Sequence, residues 1–227
     1  MSTAGLPSKR RKIDYADYLR VVVGPEQKEF MVHRDIITER SKFFQKAVST
    51  RWYCEDKNKP FELPEDDPEI FGAYLQCLYD NRVDLSFSKE EGMISVLEAM
   101  RLYVLADKLG DLESMNTTID CINQQSAKEN LIPCVSTIEM VWPLLITDSP
   151  LRKLLVDFYI YVADATVTAV DRLLGLPKEM LATIIHETNT IRRWQAGVFT
   201  VEGLKQNASN GDRCRYHQHD ETCPPCD

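Results

Sequence analysis

The segment Met93–Leu109 constrains the fold more than any other part of this sequence. At helical spacing it places Val96, Leu97, Met100, Tyr103 and Val104 on one face, with Leu102, Leu105, Ala106 and Leu109 on the other. A helix that is apolar on nearly all sides belongs in the middle of a domain, so other elements must cover it. Gly110 is placed to stop the helix in the left-handed C′ position. Asp111 can then cap a following helix through Leu112, Met115, Ile119 and Ile122.

The covering elements are legible upstream. Leu19–Val23 is a β-branched run ended by Gly24-Pro25, and Glu29–Val32 follows, which reads as a hairpin. Ile36, Ile37, Phe43, Phe44, Ala47 and Val48 are spaced for two short helices separated by Ser41, a suitable N-cap. Lys57–Pro60 is a polar loop and Phe61–Leu63 a short strand. Pro68 suits the first position of a helix that buries a stripe through Ile70, Phe71, Tyr74, Leu75, Leu78 and Tyr79. Downstream, Ile138–Leu145, Leu151–Val162 and Lys178–Ile191 read as further helices, the last two introduced by Ser149-Pro150 and Pro177. They are expected to pack on the first half or on one another.

Charge divides the chain. Lys9, Arg10, Arg11 and Lys12 carry +4 with no acid in the first twelve residues, which leaves 23 bases against 35 acids, or −12, for the rest. The basic run is the kind of tract read as a nuclear-localisation signal, its alternative being a solubilising tail. An acidic body repels nucleic-acid phosphates, so nucleic acid is an unfavoured partner. No run of about 18 uncharged apolar residues exists to form a membrane helix, and the polar, basic start lacks the apolar core of a secretory signal. The expected location is therefore intracellular, in the nucleus, the cytoplasm or both, with thiols held mostly reduced.

The motifs that carry chemistry are few. Of the nine glycines the nearest pair is Gly197 and Gly203, so neither G-x-G-x-x-G nor G-x-x-x-x-G-K is present and nucleotide binding by those loops is excluded. His186-Glu187 lacks the second histidine of H-E-x-x-H, because Thr190 stands there. No G-x-S-x-G occurs, so no enzyme reading has positive support. The tail is different: Cys214, His217, His219, Cys223 and Cys226 crowd the last fourteen residues. Cys214, His217, Cys223 and Cys226 could hold a tetrahedral zinc ion, with His219 as substitute. Pro224 and Pro225 remove N–H groups that would support thiolates, and only Tyr216 offers an apolar anchor. A disordered Cys/His-rich end and, under oxidation, a Cys223–Cys226 disulfide are the alternatives.

Five blocks resemble the BTB/POZ domain in their residues and in their order. They are Phe30-x-Val32-His33-Arg34, Ser41-x-Phe43-Phe44, Phe61-x-Leu63-Pro64, Pro68-x-x-Phe71-x-x-Tyr74-Leu75-x-x-Leu78-Tyr79, and Leu102-Tyr103-x-Leu105-Ala106-Asp107-Lys108 with Leu112 beyond. The resemblance implies an α+β BTB/POZ fold, a small sheet flanked by a helical cluster, followed by an all-helical extension. It gives a division into a disordered basic leader at 1–14, the BTB/POZ domain at 15–126, helices at 127–205 and a disordered tail at 206–227. The layout, with Ser149-Pro150-Leu151-Arg152-Lys153 after the domain, is similar to that of short fungal BTB proteins. His33 would be a structural residue at a strand-to-helix junction.

Such a domain implies a non-enzymatic protein-interaction module. Members that recruit Cullin-3 ubiquitin ligases carry a hydrophobic residue, any residue, then Glu in the loop after the second short helix; Tyr53-Cys54-Glu55 fits, with Trp52 beside it. Tyr53 would fill a pocket on the cullin and Glu55 fix the adjoining backbone or a basic partner. The alternative is a loop whose Trp52 and Tyr53 fold back on the helix. Competing readings are a nuclear transcription or chromatin cofactor and, third, a zinc-dependent nucleic-acid binder. Largely polar residues precede Leu19, which argues against the exchanged homodimer of the family and leaves monomer, compact heterodimer or another oligomer open.

Overall fold

In a computed structural model, the structure describes residues 14, 16–50, 59–83, 96–129, 132–163, 170–194, 216–220 and 223. Strand β1 (Tyr18–Val23) pairs antiparallel with β2 (Lys28–His33), with Tyr18 opposite His33 and Val23 opposite Lys28. The turn between them needs positive φ at Gly24 (76°) and Gln27 (56°). Strand β3 (Phe61–Leu63) joins the other edge of β1 in parallel, giving the order β2-β1-β3. Period-two alternation turns Leu19, Val21, Val23, Phe61 and Leu63 toward the core and Tyr18, Arg20 and Glu62 toward solvent.

Helix α1 (Arg34–Arg40) leaves β2 directly, and α2 (Lys42–Val48) follows after Ser41. Ser41 caps α2 as its sequence position suggests: its Oγ accepts from the Phe44 N–H at 3.2 Å and donates to the Leu109 carbonyl at 2.6 Å. Helix α3 (Pro68–Asp80) starts with Pro68 after an Asp67 cap, whose Oδ1 accepts from the Glu69 N–H, and ends at left-handed Asn81 (φ 52°). Helix α4 (Val96–Leu109) is the all-round apolar segment, with Ala99, Met100, Leu102, Tyr103, Leu105, Ala106 and Leu109 all buried. It packs against α2, α3 and α5 (Leu112–Glu129), and Gly110 stops it at φ 67°. The first residues of the expected helix, Met93–Ser95, lie outside the described residues.

The extension comprises α6 (Val135–Val141), a 3-10 turn at Trp142–Leu144, α7 (Pro150–Tyr161), α8 (Val170–Leu173) and α9 (Lys178–Trp194). The helix expected over Ile138–Leu145 thus begins three residues earlier and leaves α geometry at Trp142. Pro143 has no N–H, and its ring collides with the carbonyl four residues back if the α-helix continues. Helix α6 packs on α4 and α9 on α7, so the extension lies both on the first half and on itself. The buried apolar residues form one cluster that runs from Leu19 and Phe71 through Met100 to Ile138, Leu154, Phe158 and Met180. Tyr103 bridges the halves, its hydroxyl 3.2 Å from Ser149 Oγ at the start of α7. No helix among the described residues is long and apolar enough to cross a membrane.

Two outcomes are expected. A Cβ on residue 24 would lie 2.8 Å from Pro68 Cγ, so Gly24→Ala combines a clash with left-handed backbone strain of about 1–2 kcal/mol; chemical denaturation should show a loss at least that large. Burial pushes the Tyr103 phenol up to about 12, although its hydrogen bond to Ser149 opposes the shift. The folded state therefore holds this proton more tightly than the unfolded chain, whose phenols titrate near ~10. Stability from this group should be intact below pH ~10 and decline as pH rises through the folded value, and Tyr103→Phe should flatten that decline in denaturation curves taken at several pH values.

Candidate functional site

Helix α2 precedes residues 51–58, where the sequence Tyr53-Cys54-Glu55 stands. Its own position is fixed by Phe44, which is fully buried and stands edge-on to Phe61 at 5.7 Å between ring centroids. Phe43, next to it, is partly exposed. The helix ends with Ser49 Oγ donating to the Lys46 carbonyl and Thr50 Oγ1 to that of Ala47, both at 2.7 Å. Trp52, Tyr53 and Glu55 lie in 51–58, outside the described residues, between α2 and β3. Lys9, Arg10, Arg11 and Lys12 also lie outside them.

The platform beneath α2 is held by a buried carboxylate that the sequence shows only as a helix cap. Asp111, with no exposed surface, does cap α5: its Oδ1 accepts from the Ser114 N–H at 3.0 Å. It also accepts from Arg40 Nε at 3.1 Å, from the Tyr74 hydroxyl at 3.2 Å and from Ser114 Oγ at 2.8 Å. Arg40 adds a bond to Ser114 Oγ at 2.9 Å and a contact with Glu113 at 3.3 Å. Burial, then the Asp111 charge, pushes the Tyr74 phenol well above its ordinary value, so it stays a donor. Three helices, α1, α3 and α5, thus meet at one ion.

His33, the last residue of β2, has its Nδ1 2.7 Å from the Tyr79 hydroxyl, while its backbone N–H donates to the same oxygen at 3.1 Å. It joins the strand-to-helix junction to α3. His186 and Glu187 are exposed on α9.

The C-terminal tail, expected to lack fixed structure, has its described residues seated on the helices. Tyr216 is buried and donates to Asp157 Oδ2 of α7 at 2.6 Å. His217 Nε2 is 3.0 Å from Asp120 Oδ1 on α5. The Asn116 side chain brackets the backbone of Gln218, donating to its carbonyl at 2.9 Å and accepting from its N–H at 3.0 Å. Lys42 of α2 pairs with Asp220. The anchor is the tyrosine that sequence reading identified as the tail's one apolar residue; the polar partners come from elements far away in sequence.

Of the zinc ligands considered, His217 and Cys223 are described, whereas Cys214 and Cys226 lie outside the described residues. His219 Nδ1 is 4.0 Å from Cys223 Sγ and 3.3 Å from the Cys223 carbonyl. Among the described residues no three His, Cys, Asp or Glu side chains are grouped to hold a metal. Burial pushes the Cys223 thiol up, against a hydrogen bond from Asn116, and Cys223 is a free thiol, as are Cys77, Cys121 and Cys134.

Sequence reading missed Arg40, Asn116, Asp120 and Asp157. Asp157 carries a signal: it is an acid inside the apolar run Leu154-Leu155-Val156-Asp157-Phe158-Tyr159, and a buried carboxylate requires a partner.

The described residues thus build a small mixed sheet packed with a helical cluster and braced by polar locks. A family model described as BTB/POZ domain matches residues 8–115. The protein carries a BTB/POZ domain, followed by further helices.

The lock itself is testable. Asp111→Ala leaves the Arg40 guanidinium, 15% exposed, without its buried partner, and loss of one member of such a pair costs about 3–5 kcal/mol. Urea denaturation should show a loss of that order, and a smaller one for Asp111→Asn, which keeps an oxygen for the Ser114 cap.

Proposed function

We propose that this protein is a non-enzymatic adaptor whose BTB/POZ domain binds other proteins and recruits substrates to a Cullin-3 ubiquitin ligase. The observation that carries the reading is the BTB/POZ match over residues 8–115, a family of interaction domains. The finer assignment is supported by the order Tyr53-Cys54-Glu55 directly after α2. There an apolar side chain can enter a pocket on the scaffold and a carboxylate can fix the contact.

The basic run Lys9-Arg10-Arg11-Lys12 favours a nuclear site of action and keeps a second reading in view, a transcription or chromatin cofactor that uses the same domain. The readings separate by experiment. In calorimetric titration of the purified chain with purified Cullin-3, wild type is expected to bind, and Tyr53→Ala combined with Glu55→Ala to lose at least about 2 kcal/mol of binding free energy, with an unchanged circular dichroism spectrum. Wild type that does not bind Cullin-3 ends the adaptor reading. A fluorescent fusion should be nuclear, and replacing all four basic residues by alanine should shift it toward the cytoplasm.

A further inference from the structure

We infer that the polar strip formed by Asp157, Asp120, Asn116 and Lys42 is a peptide-recognition groove, filled in this chain by its own tail and made to accept an exchangeable partner segment. The strip crosses three elements, α7, α5 and α2, and each of its side chains engages the tail. Asp157 accepts from the Tyr216 hydroxyl, Asp120 faces His217 Nε2, Asn116 brackets Gln218, and Lys42 pairs with Asp220. Two of the receiving groups are themselves more than nine-tenths buried, Asn116 at 7% and Asp157 at 8% exposure. A side-chain amide that bonds both the N–H and the C=O of one residue reads backbone irrespective of side chain, the same economy of main-chain bonds by which extended peptides are held on sheet edges.

The remaining contacts specify the ligand. They ask for a tyrosine hydroxyl at the first position, an imidazole or other donor at the second, any residue at the third and a carboxylate at the fifth. The tail meets this pattern as Tyr216-His217-Gln218-His219-Asp220. Beside the buried Tyr216 ring, the seating includes polar pairs with one member open to water, Asp120 at 51% beside His217 at 4% and Lys42 at 48% beside Asp220 at 30% side-chain exposure. The open member of each pair lets water and salt reach it, so these contacts can exchange. Because the tail belongs to the same chain, its binding is intramolecular, and a partner segment has to overcome that advantage in effective concentration. A partner protein presenting the same pattern competes for the groove, and on winning it frees the tail and ties itself to both the BTB domain and its helical extension.

The test uses full-length protein and a synthetic peptide of residues 216–223, kept reduced and labelled with a fluorophore. In Tyr216→Ala the cis anchor is gone, and the peptide should bind in trans at least about tenfold more tightly than to wild type, whose groove is occupied. Adding Asn116→Ala to that variant should remove the binding while the far-ultraviolet circular dichroism stays that of a folded chain. A peptide with phenylalanine in place of Tyr216 should bind about tenfold more weakly, the loss of one charge-assisted hydrogen bond. Failure of the peptide to bind Tyr216→Ala, or equal binding to wild type, to Tyr216→Ala and to the double variant, overturns the proposal. A wild-type dimer that Tyr216→Ala converts to monomer would place a second copy's tail in the groove and would overturn it too.

Discussion

The structure turns on a single buried negative charge. Hydrophobic burial collapses this chain, but it is non-directional and does not by itself decide how α1, α3 and α5 are set against the central helix. Asp111 does. With no exposed surface, its carboxylate is tolerable only where donors converge, and Arg40, Tyr74 and Ser114 each reach it from a different element or turn. Beside it, Gly110 turns the chain in left-handed geometry and Ser41 ties the start of α2 to the last turn of α4 through the Leu109 carbonyl. An arrangement that slid any of these helices by one turn would strand a charge in the core.

From that corner the rest follows in layers. Helix α4, fixed at its C-terminal end, is buried on nearly all sides: α2, α3, α5 and α6 pack against it, and Tyr103 reaches Ser149 at the start of α7. The extension is therefore continuous with the BTB/POZ core. Tyr103 joins the two through Ser149, and Arg152 of α7 lies over the Trp142 ring at 4.5 Å while bonding the Trp142 carbonyl. The tail adds a second tie between the same two parts, from Asp157 across Asn116 to Lys42.

The parts of this architecture that depend on neighbours in sequence were legible, and those that depend on distant partners were not. Ser41, Pro68, Gly110 and Asp111 announce helix ends because capping acts within one turn. The all-round apolarity of Met93–Leu109 announces a central helix because periodicity is local. Pro143 shows the limit of reading periodicity alone: the apolar stripe continues past it, while the backbone cannot. Arg40 as the partner of Asp111 is separated from it by 71 residues, and Asn116 from Gln218 by 102, and no spacing rule links them. In the tail, sequence offers only Tyr216 as an anchor for the residues that the structure seats on the helices. Its partners, a buried acid and a buried amide, belong to helices whose polar exceptions carry no address in the sequence. The Cullin-3 proposal for Tyr53 and Glu55 rests on family resemblance alone, since the two residues form no pattern that physics by itself would single out.

What joins these features is a rigid platform that works by holding other proteins. The most direct measurement is affinity purification of the full chain at native expression level, with quantitative mass spectrometry of what comes with it. The account predicts a Cullin-3 scaffold at near-stoichiometric amount, together with proteins that the ligase modifies. Recovery of the chain alone, with nothing bound in comparable amount, would contradict it.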